Sequence, residues 1–300
     1  MTDAPLRERA TALYRELQAS ITSDLEALDG TGRFVEDEWS REGGGGGWTR
    51  VLAEGEVIEK GAVNVSAVFG EAPPQLAEHL KIEAEEFFAT GVSMIFHPRN
   101  PHCPTMHANL RYFEAGEGEQ RVAWFGGGSD LTPYYLVEED VRHFHRVASE
   151  VCERHEVADY PAWKAHADRY FKNHHRGEAR GVGGTFFDHQ QGDLEAFLAF
   201  QRDYGLQLMP SYIPLLEKHK DDPFSEEQER WLLQRRGRYV EFNLVHDRGT
   251  RFGLQTGGRI ESILVSLPAR VRFDYMAEPA AGTPEAELLE VLRGEPRDWS

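Results

Sequence analysis

Cysteine is nearly absent from this sequence, since Cys103 and Cys152 are the only two among 300 residues. Two cysteines cannot form a disulfide framework, and they cannot supply the four thiolates of a structural metal or iron–sulfur site. The string CxxCH is missing as well, which excludes a c-type haem attachment. This cysteine usage is typical of a reducing compartment.

Long apolar runs are also missing. Nowhere do about 18 apolar residues follow one another, and residues 1–18 carry charges where a secretory signal would have an apolar region. We therefore expect a soluble, cytoplasmic protein with no membrane span.

Positive charge is scarce. The 33 basic residues face 51 acidic ones, the formal net charge is -18, and lysine is rare among the basic residues. A nucleic-acid partner bound through a general electrostatic footprint is therefore not expected. Anion binding remains open to this chain only where arginines gather locally.

Nucleotide and zinc-hydrolase signatures are absent. The string GGGGGW at 43–48 lacks a following Lys-Ser or Lys-Thr, and none of the glycine clusters completes G-x-G-x-x-G between a strand and a helix. HExxH does not occur either. We therefore expect no organic cofactor.

The order of the sequence patterns predicts an α+β fold with one large, mainly antiparallel sheet flanked by helices. A helix at about 3–29 ends at Gly30, strands occupy 33–69 and 92–126, and a helix is expected at 73–89. Helices are expected at about 138–155, 160–174, 193–208 and 225–237, followed by strands at 239–245, 251–255 and 260–267. A C-terminal extension at about 277–300 adds one more helix. No linker divides the chain, so residues 1–300 are interpreted as a single catalytic domain.

Alternating residues give the strand at 105–113 one apolar face and one polar face. The apolar face carries Met106, Ala108, Leu110 and Tyr112. The opposite face carries Thr105, His107, Asn109, Arg111 and Phe113. The strand at 92–97 also directs Ser93 and His97 to one side. A solvated sheet face would explain one such strand, whereas two neighbouring strands indicate the floor of an anion pocket in which Arg111 offers a charge-assisted fork.

Further candidates lie near glycine loops. Arginines stand beside glycines at 174–184 and 251–262, where backbone N–H groups can help to hold oxyanions. Each loop alone fits a turn with a solvated arginine, but together with Arg111 they suit a ligand with several carboxylates. Asp130 follows the triple glycine of 126–128. It is either a turn residue or, beneath a pocket rich in arginine, an ionised proton acceptor.

Histidine is abundant, with 13 residues, so a metal site is an alternative interpretation. The histidines that could converge on a divalent ion are His97, His107, His145 and His175. The same residues could instead exchange protons or bind carboxylates near neutral pH.

Five strings, in a fixed order, carry a specific resemblance: residues 36–66, 96–113, 124–135, 174–188 and 239–268. They closely resemble the oxygen-dependent coproporphyrinogen III oxidases of haem biosynthesis, and the likeness runs from about residue 33 to 276. The resemblance implies a homodimer built on a large antiparallel sheet. It also implies oxidative decarboxylation of two propionates of coproporphyrinogen III to vinyl groups, with O2 as co-substrate and protoporphyrinogen IX as product.

The resemblance also implies roles for individual residues. The substrate-binding positions would be Ser93, Asn109, Arg111, Gly257, Gly258 and Arg259. His107 would donate a proton, and Asp130 would engage the pyrrole N–H groups. The positions sometimes assigned to a divalent metal match His97, His107, His145 and His175.

Deprotonation of a pyrrole by Asp130 would let the electron-rich ring react with O2, so catalysis would need no cofactor. Two other functions remain open: a histidine-metal-dependent oxygenase, and a non-catalytic tetrapyrrole carrier. Residues 239–245 and the segment up to Pro268 are candidates for a dimer interface.

Overall fold

One antiparallel sheet organises the fold. The computed structural model describes residues 4–72, 86–116, 118, 121–255 and 257–300. The strands are β1 (Val35–Ser40), β2 (Gly45–Ala53), β3 (Ile58–Glu71), β4 (Glu86–Pro98), β5 (Thr105–Ala115), β6 (Val122–Thr132), β7 (Lys172–Asn173), β8 (Glu178–Ala179) and β9 (Gly184–Gln190). Within the described residues, seven of them form one sheet in the order β1-β2-β3-β4-β5-β6-β9, with every neighbouring pair antiparallel. β7 and β8 form a separate ribbon.

Helices surround this sheet. They are α1 (Leu6–Asp29), α2 (Glu138–Glu153), α3 (Tyr160–Tyr170), α4 (Leu194–His219), α5 (Glu226–Glu241), α6 (Arg248–Gln255), α7 (Ile260–Leu264) and α8 (Pro284–Arg293). A short 3-10 helix covers His174–Arg176, and a π-helical turn covers Phe242–His246. The α+β prediction is confirmed. Within the described residues, no helix is both long enough and apolar enough to cross a membrane.

The main core lies between one face of the sheet and a layer formed by α1, α2 and α4. The opposite face of the sheet is called the open face below. The predicted stripe of α1 is buried there, from Ala10 to Leu25, and α1 packs on β3, β4 and β5 before Gly30 ends it with a positive φ of 81°. The predicted apolar face of β5 is also buried in this core. The C-terminal extension contributes the predicted helix α8 and also buries Trp299 in the same core.

Two predicted element ends, one at a glycine run and one before two prolines, were wrong. The strand expected to end at Gly126 continues through the triple glycine of 126–128 to Thr132, so Asp130 lies within a strand and not in a turn. The helix expected to end near Leu208 continues through Pro210 and Pro214 to His219. Burial of Tyr212, Leu215 and Leu216 on α4 stabilises the continuation and outweighs the N–H donors that the two prolines lack.

The strands expected in the last third of the chain were also wrong. Residues 239–267 form the end of α5, the π-helical turn, α6 and α7. Tyr239 and Phe242 are both buried and lie three residues apart, a helical spacing that the apparent alternation hid. Strand β9 was not predicted. The helix expected at 73–89 falls mostly outside the described residues, and its last positions from Glu86 belong to β4.

Candidate active site

A row of polar side chains crosses the open face of the sheet. In the strand register Asp37 pairs with Thr49, Thr49 with Asn64, Asn64 with Ser93, and Ser93 with Asn109. Directly paired residues project from the same face, so these side chains stand side by side over β1 to β5. Ser93, near the middle of the row, is exposed. The structure therefore brings Ser93 and Asn109 together, as predicted.

A second row, in which four of the six residues are small, runs beside the polar row. Its register positions, from β1 to β6, are Trp39, Gly47, Ser66, Gly91, Arg111 and Gly126. A side chain at position 126 would be crowded, since a Cβ atom there would lie 2.9 Å from Arg111 Nε and 3.0 Å from Asp188 Oδ1. The two glycines that flank Arg111 project no side chain from the sheet, and the sheet surface along these two rows is called the trough below.

Arg111 is the cation at the β5 end of these rows. Its Nη1 donates to Asn109 Oδ1 at 2.7 Å, and its Nη2 lies 2.9 Å from Asp188 Oδ1. Burial alone would raise the pKa of Asp188, but Arg111 outweighs it and holds that pKa below its ordinary value. The Arg111 side chain keeps 31% of its surface exposed, so N–H groups remain accessible to a carboxylate.

A buried ion pair lies next to this trough. His107 on β5 stands opposite Asp130 on β6, and its Nδ1 lies 2.8 Å from Asp130 Oδ1. Arg180 donates from Nη2 to both carboxylate oxygens, at 2.6 and 2.7 Å, and from Nε at 3.0 Å. Burial would raise the pKa of Asp130, but Arg180 and His107 lower it below its ordinary value. Asp130 is therefore an ionised carboxylate with 1% of its surface exposed, whereas the His107 side chain is 19% exposed.

Arg259 approaches the other end of the polar row from the segment that covers it. Its Nη2 donates to Asp37 at 2.5 Å, and its Nη1 donates to Ser262 Oγ at 3.0 Å. Ser262 in turn contacts Thr49 Oγ1 at 2.9 Å and accepts from Asn64 at its backbone oxygen. Arg259 and helix α7 thus lie over β1 to β3.

Glycines shape the turn that precedes Arg259. Gly257 has a φ of 71°, in the left-handed region that glycine favours, and Gly258 N donates to Gly253 O at 2.8 Å. The predicted loop residues therefore place Arg259 over the sheet.

Comparison with known proteins gives the chain a family. The sequence model described as "Coproporphyrinogen III oxidase" matches residues 9–299. The chain is 48% identical to the oxygen-dependent coproporphyrinogen-III oxidase, chloroplastic, of Glycine max, over 98% of this chain and 80% of that protein. It is 47% identical to coproporphyrinogen-III oxidase 1, chloroplastic, of Arabidopsis thaliana, over 99% of this chain and 80% of that protein. The chain belongs to the coproporphyrinogen III oxidase family.

The four candidate metal histidines do not share a site in this coproporphyrinogen III oxidase family member. His97 is buried, with Nδ1 bonded to Thr105 and Nε2 bonded to the backbone of Ser266. Both nitrogens of His145 are also bonded, to the Tyr160 hydroxyl and the Val182 carbonyl. Burial lowers the pKa of His97 well below its ordinary value and that of His145 to about 4.

The remaining two histidines lie apart. His175 is bonded to His246 and Glu241 near the surface, whereas His107 alone stands beside the trough. Within the described residues, no group of three or more His, Cys, Asp or Glu side chains could hold a metal ion. The donor set predicted for a divalent ion therefore does not fit one coordination sphere here.

Arg180 belongs to the candidate site, but it was not named as a site residue from the sequence alone. Its guanidinium is stacked among Phe171, Tyr239 and Phe242, with ring centroids 4.5 to 4.6 Å away, and its Nη1 donates to Asn243 Oδ1 at 2.8 Å. The string at 174–184 contains it together with Arg176. Only the fold shows that this arginine pairs with Asp130.

Proposed function

We propose that the chain catalyses oxygen-dependent oxidative decarboxylation of two propionates of coproporphyrinogen III, giving protoporphyrinogen IX in haem biosynthesis. The observation that carries the proposal is a trough with arginines at both ends beside the His107–Asp130–Arg180 cluster. The names of the relatives support the substrate. The partly or fully exposed groups of this face, Ser93, His107, Asn109 and Arg111, suit a ligand that carries several carboxylates.

Substrate binding is assigned to the open face. Arg111 and Arg259 hold propionate carboxylates, because both guanidinium groups are partly exposed and already fixed by a carboxylate partner. Ser93 and Asn109 add neutral hydrogen-bonding groups between them. Gly257 and Gly258 allow the turn that brings Arg259 over the row.

The proton-accepting atom is assigned to His107 Nε2. The sequence and the family resemblance favoured Asp130 for this task, but that carboxylate is buried, and among the described residues its side-chain hydrogen bonds are to Arg180 and His107. An ionised Asp130 accepts a hydrogen bond from Nδ1–H, which leaves Nε2 able to take a pyrrole N–H proton. Asp130 then stabilises the imidazolium, and Arg180 keeps Asp130 ionised and fixed.

Oxygen is the electron acceptor of the proposed reaction. The deprotonated pyrrole is electron-rich enough to react with O2 directly. For each propionate, the β-carbon loses a proton, the carboxylate leaves as CO2, and the two electrons released reduce O2. The β-carbon proton and one proton from solvent complete H2O2, and His107 returns its proton to the pyrrole nitrogen. We propose that no organic cofactor and no metal takes part, which the separate hydrogen-bonding roles of the four histidines support.

We further propose a homodimer of single-domain catalytic subunits. Support comes from exposed apolar side chains on the turn after α5, on α6 and α7, and on the loop before α8: Leu244, Val245, Leu254, Ile260, Phe273, Tyr275 and Met276. A cytoplasmic location is proposed from the two free, buried cysteines, which suit a reducing compartment.

The test is product analysis with coproporphyrinogen III under air and under argon. We expect conversion to the divinyl product under air only, with CO2 released in step with O2 consumed. Binding of the substrate without O2 consumption or product would instead favour the tetrapyrrole carrier.

A further inference from the structure

A cavity lies apart from the sheet face described above, between α5, α8 and the loop that precedes α8. Its volume is about 180 Å³. The charged side chains on its wall are Arg176, Glu178, Arg235, Arg238, Glu278 and Arg293. Four guanidinium groups and two carboxylates give this wall an excess of positive charge, in a chain whose formal net charge is -18.

The carboxylates around the cavity are already occupied. Glu178 accepts from Arg235 Nη1 at 2.5 Å and from Arg293 Nε at 3.3 Å. Glu278 accepts from both terminal nitrogens of Arg293, at 2.9 and 3.0 Å. The two glutamates therefore balance Arg235 and Arg293, and they leave the other two arginines of the wall without a partner among the lining residues.

The other two arginines share one carboxylate. Arg176 Nη2 donates to Glu241 Oε1 at 2.7 Å, and Arg238 Nη1 donates to the same oxygen at 2.9 Å. Even when Glu241 is included, four arginines meet three glutamates. Among the lining residues and Glu241, one positive charge is therefore left without a carboxylate of its own.

Arg235 is the most deeply buried of the four arginines on the cavity wall. Its side chain is 4% exposed, and its Nε has no hydrogen-bond acceptor among the described residues. Burial lowers the pKa of its guanidinium below the ordinary value; Glu178 opposes this shift, whereas Arg238 and Arg293 add to it. Glu178 balances the charge of Arg235 at Nη1, but the buried Nε–H has no acceptor among the described residues, and a buried donor without an acceptor is costly.

We propose that this cavity is a binding site for a small oxyanion of the phosphate class. Guanidinium forks match the oxygens of such a group. Because one water needs about 10–15 Å³ of cavity space, the volume admits a phosphate with some of its waters and is too small for a tetrapyrrole.

The test is isothermal titration of the full chain with inorganic phosphate, at an ionic strength held constant with chloride. We expect saturable binding of one phosphate per chain. Arg238→Gln and Arg293→Gln should each weaken it at least about tenfold, since each removes a charge-assisted hydrogen bond. Arg230→Gln is the matched control, because Arg230 lies on the same helix α5 but bonds to Asp274, which is not on the cavity wall.

The result that overturns the proposal is defined by the same variants. Absence of saturable phosphate binding to the wild-type chain would overturn it, as would equal weakening in Arg230→Gln. If Arg111→Gln abolished binding while Arg238→Gln and Arg293→Gln did not, the phosphate would be bound at the sheet face and the proposal would again fail. Thermal unfolding of each variant shows whether it is folded. Of the two cavity variants, Arg293→Gln changes the more exposed side chain, 42% against 14% for Arg238, and is therefore expected to disturb folding less.

Discussion

Replacing Asp130 by asparagine tests the buried ion pair most sharply. The change keeps the shape of the side chain but removes the negative charge that faces Arg180. Arg180 is 2% exposed and Asp130 is 1% exposed, so the guanidinium would be left buried without its counter-charge. Loss of one partner of a buried pair destabilises proteins by about 3–5 kcal/mol. We expect a loss of this size in the free energy of unfolding, measured with urea.

The same substitution should slow turnover more than it weakens substrate binding. Without the carboxylate, the His107 imidazolium loses a charge-assisted hydrogen bond worth about 1.5–3 kcal/mol, which corresponds to about 10- to 150-fold in kcat. The assay is O2 uptake with coproporphyrinogen III, and KM should change little because Asp130 does not reach the trough.

Asp203→Asn is the control for both measurements. Asp203 also contacts a histidine and an arginine, His155 and Arg154, each at 3.1 Å, but its side chain is 32% exposed. For Asp203→Asn we expect a loss of less than about 1 kcal/mol in the free energy of unfolding, and an unchanged kcat. Wild-type turnover in Asp130→Asn would refute the assigned role, and equal destabilisation by the two substitutions would refute the argument from burial.

Three further predictions concern the trough and the core. Arg111→Gln should raise KM for coproporphyrinogen III by about 10-fold or more, whereas Arg121→Gln, at an exposed ion pair, should leave steady-state kinetics unchanged. Gly126→Ala should also raise KM, because the new Cβ would displace the Arg111 guanidinium, and a normal KM would show that this crowding is unimportant. The pKa of His145 is lowered by burial to about 4, so its stabilising effect is complete above the ordinary value of 6.5 and is lost as pH falls towards 4. Between pH 7 and pH 4, the free energy of unfolding measured with urea should therefore fall by about 3 kcal/mol more in the wild type than in His145→Gln. Parallel plots of this free energy against pH for the two proteins would contradict the prediction.

Local periodicity predicted those parts of the fold that bury one face. The stripe of α1 and the alternation of β5 follow directly from helix and strand geometry, and both faces are where they were expected. The prediction failed where a residue type has two uses. Gly126 suits a turn, but here it leaves space for Arg111 across the sheet.

The site could be predicted only in part for a related reason. Asn109, Arg111 and His107 share one strand, so their common face can be read from the sequence alone. The pairing of Asp130 with Arg180 joins residues that are 50 positions apart, and no local pattern reports it. The metal set failed to converge because His97 and His145 use their nitrogens to satisfy buried hydroxyl and carbonyl groups.

O2 uptake by chelator-treated protein would show whether the side chains of this sheet face decarboxylate the substrate without a cofactor. The measurement follows O2 consumption with coproporphyrinogen III after metal removal, with porphyrin products separated by chromatography after oxidation. We expect uptake at the full rate and conversion to the divinyl product. Activity that disappears on metal removal and returns with one particular metal would contradict this expectation.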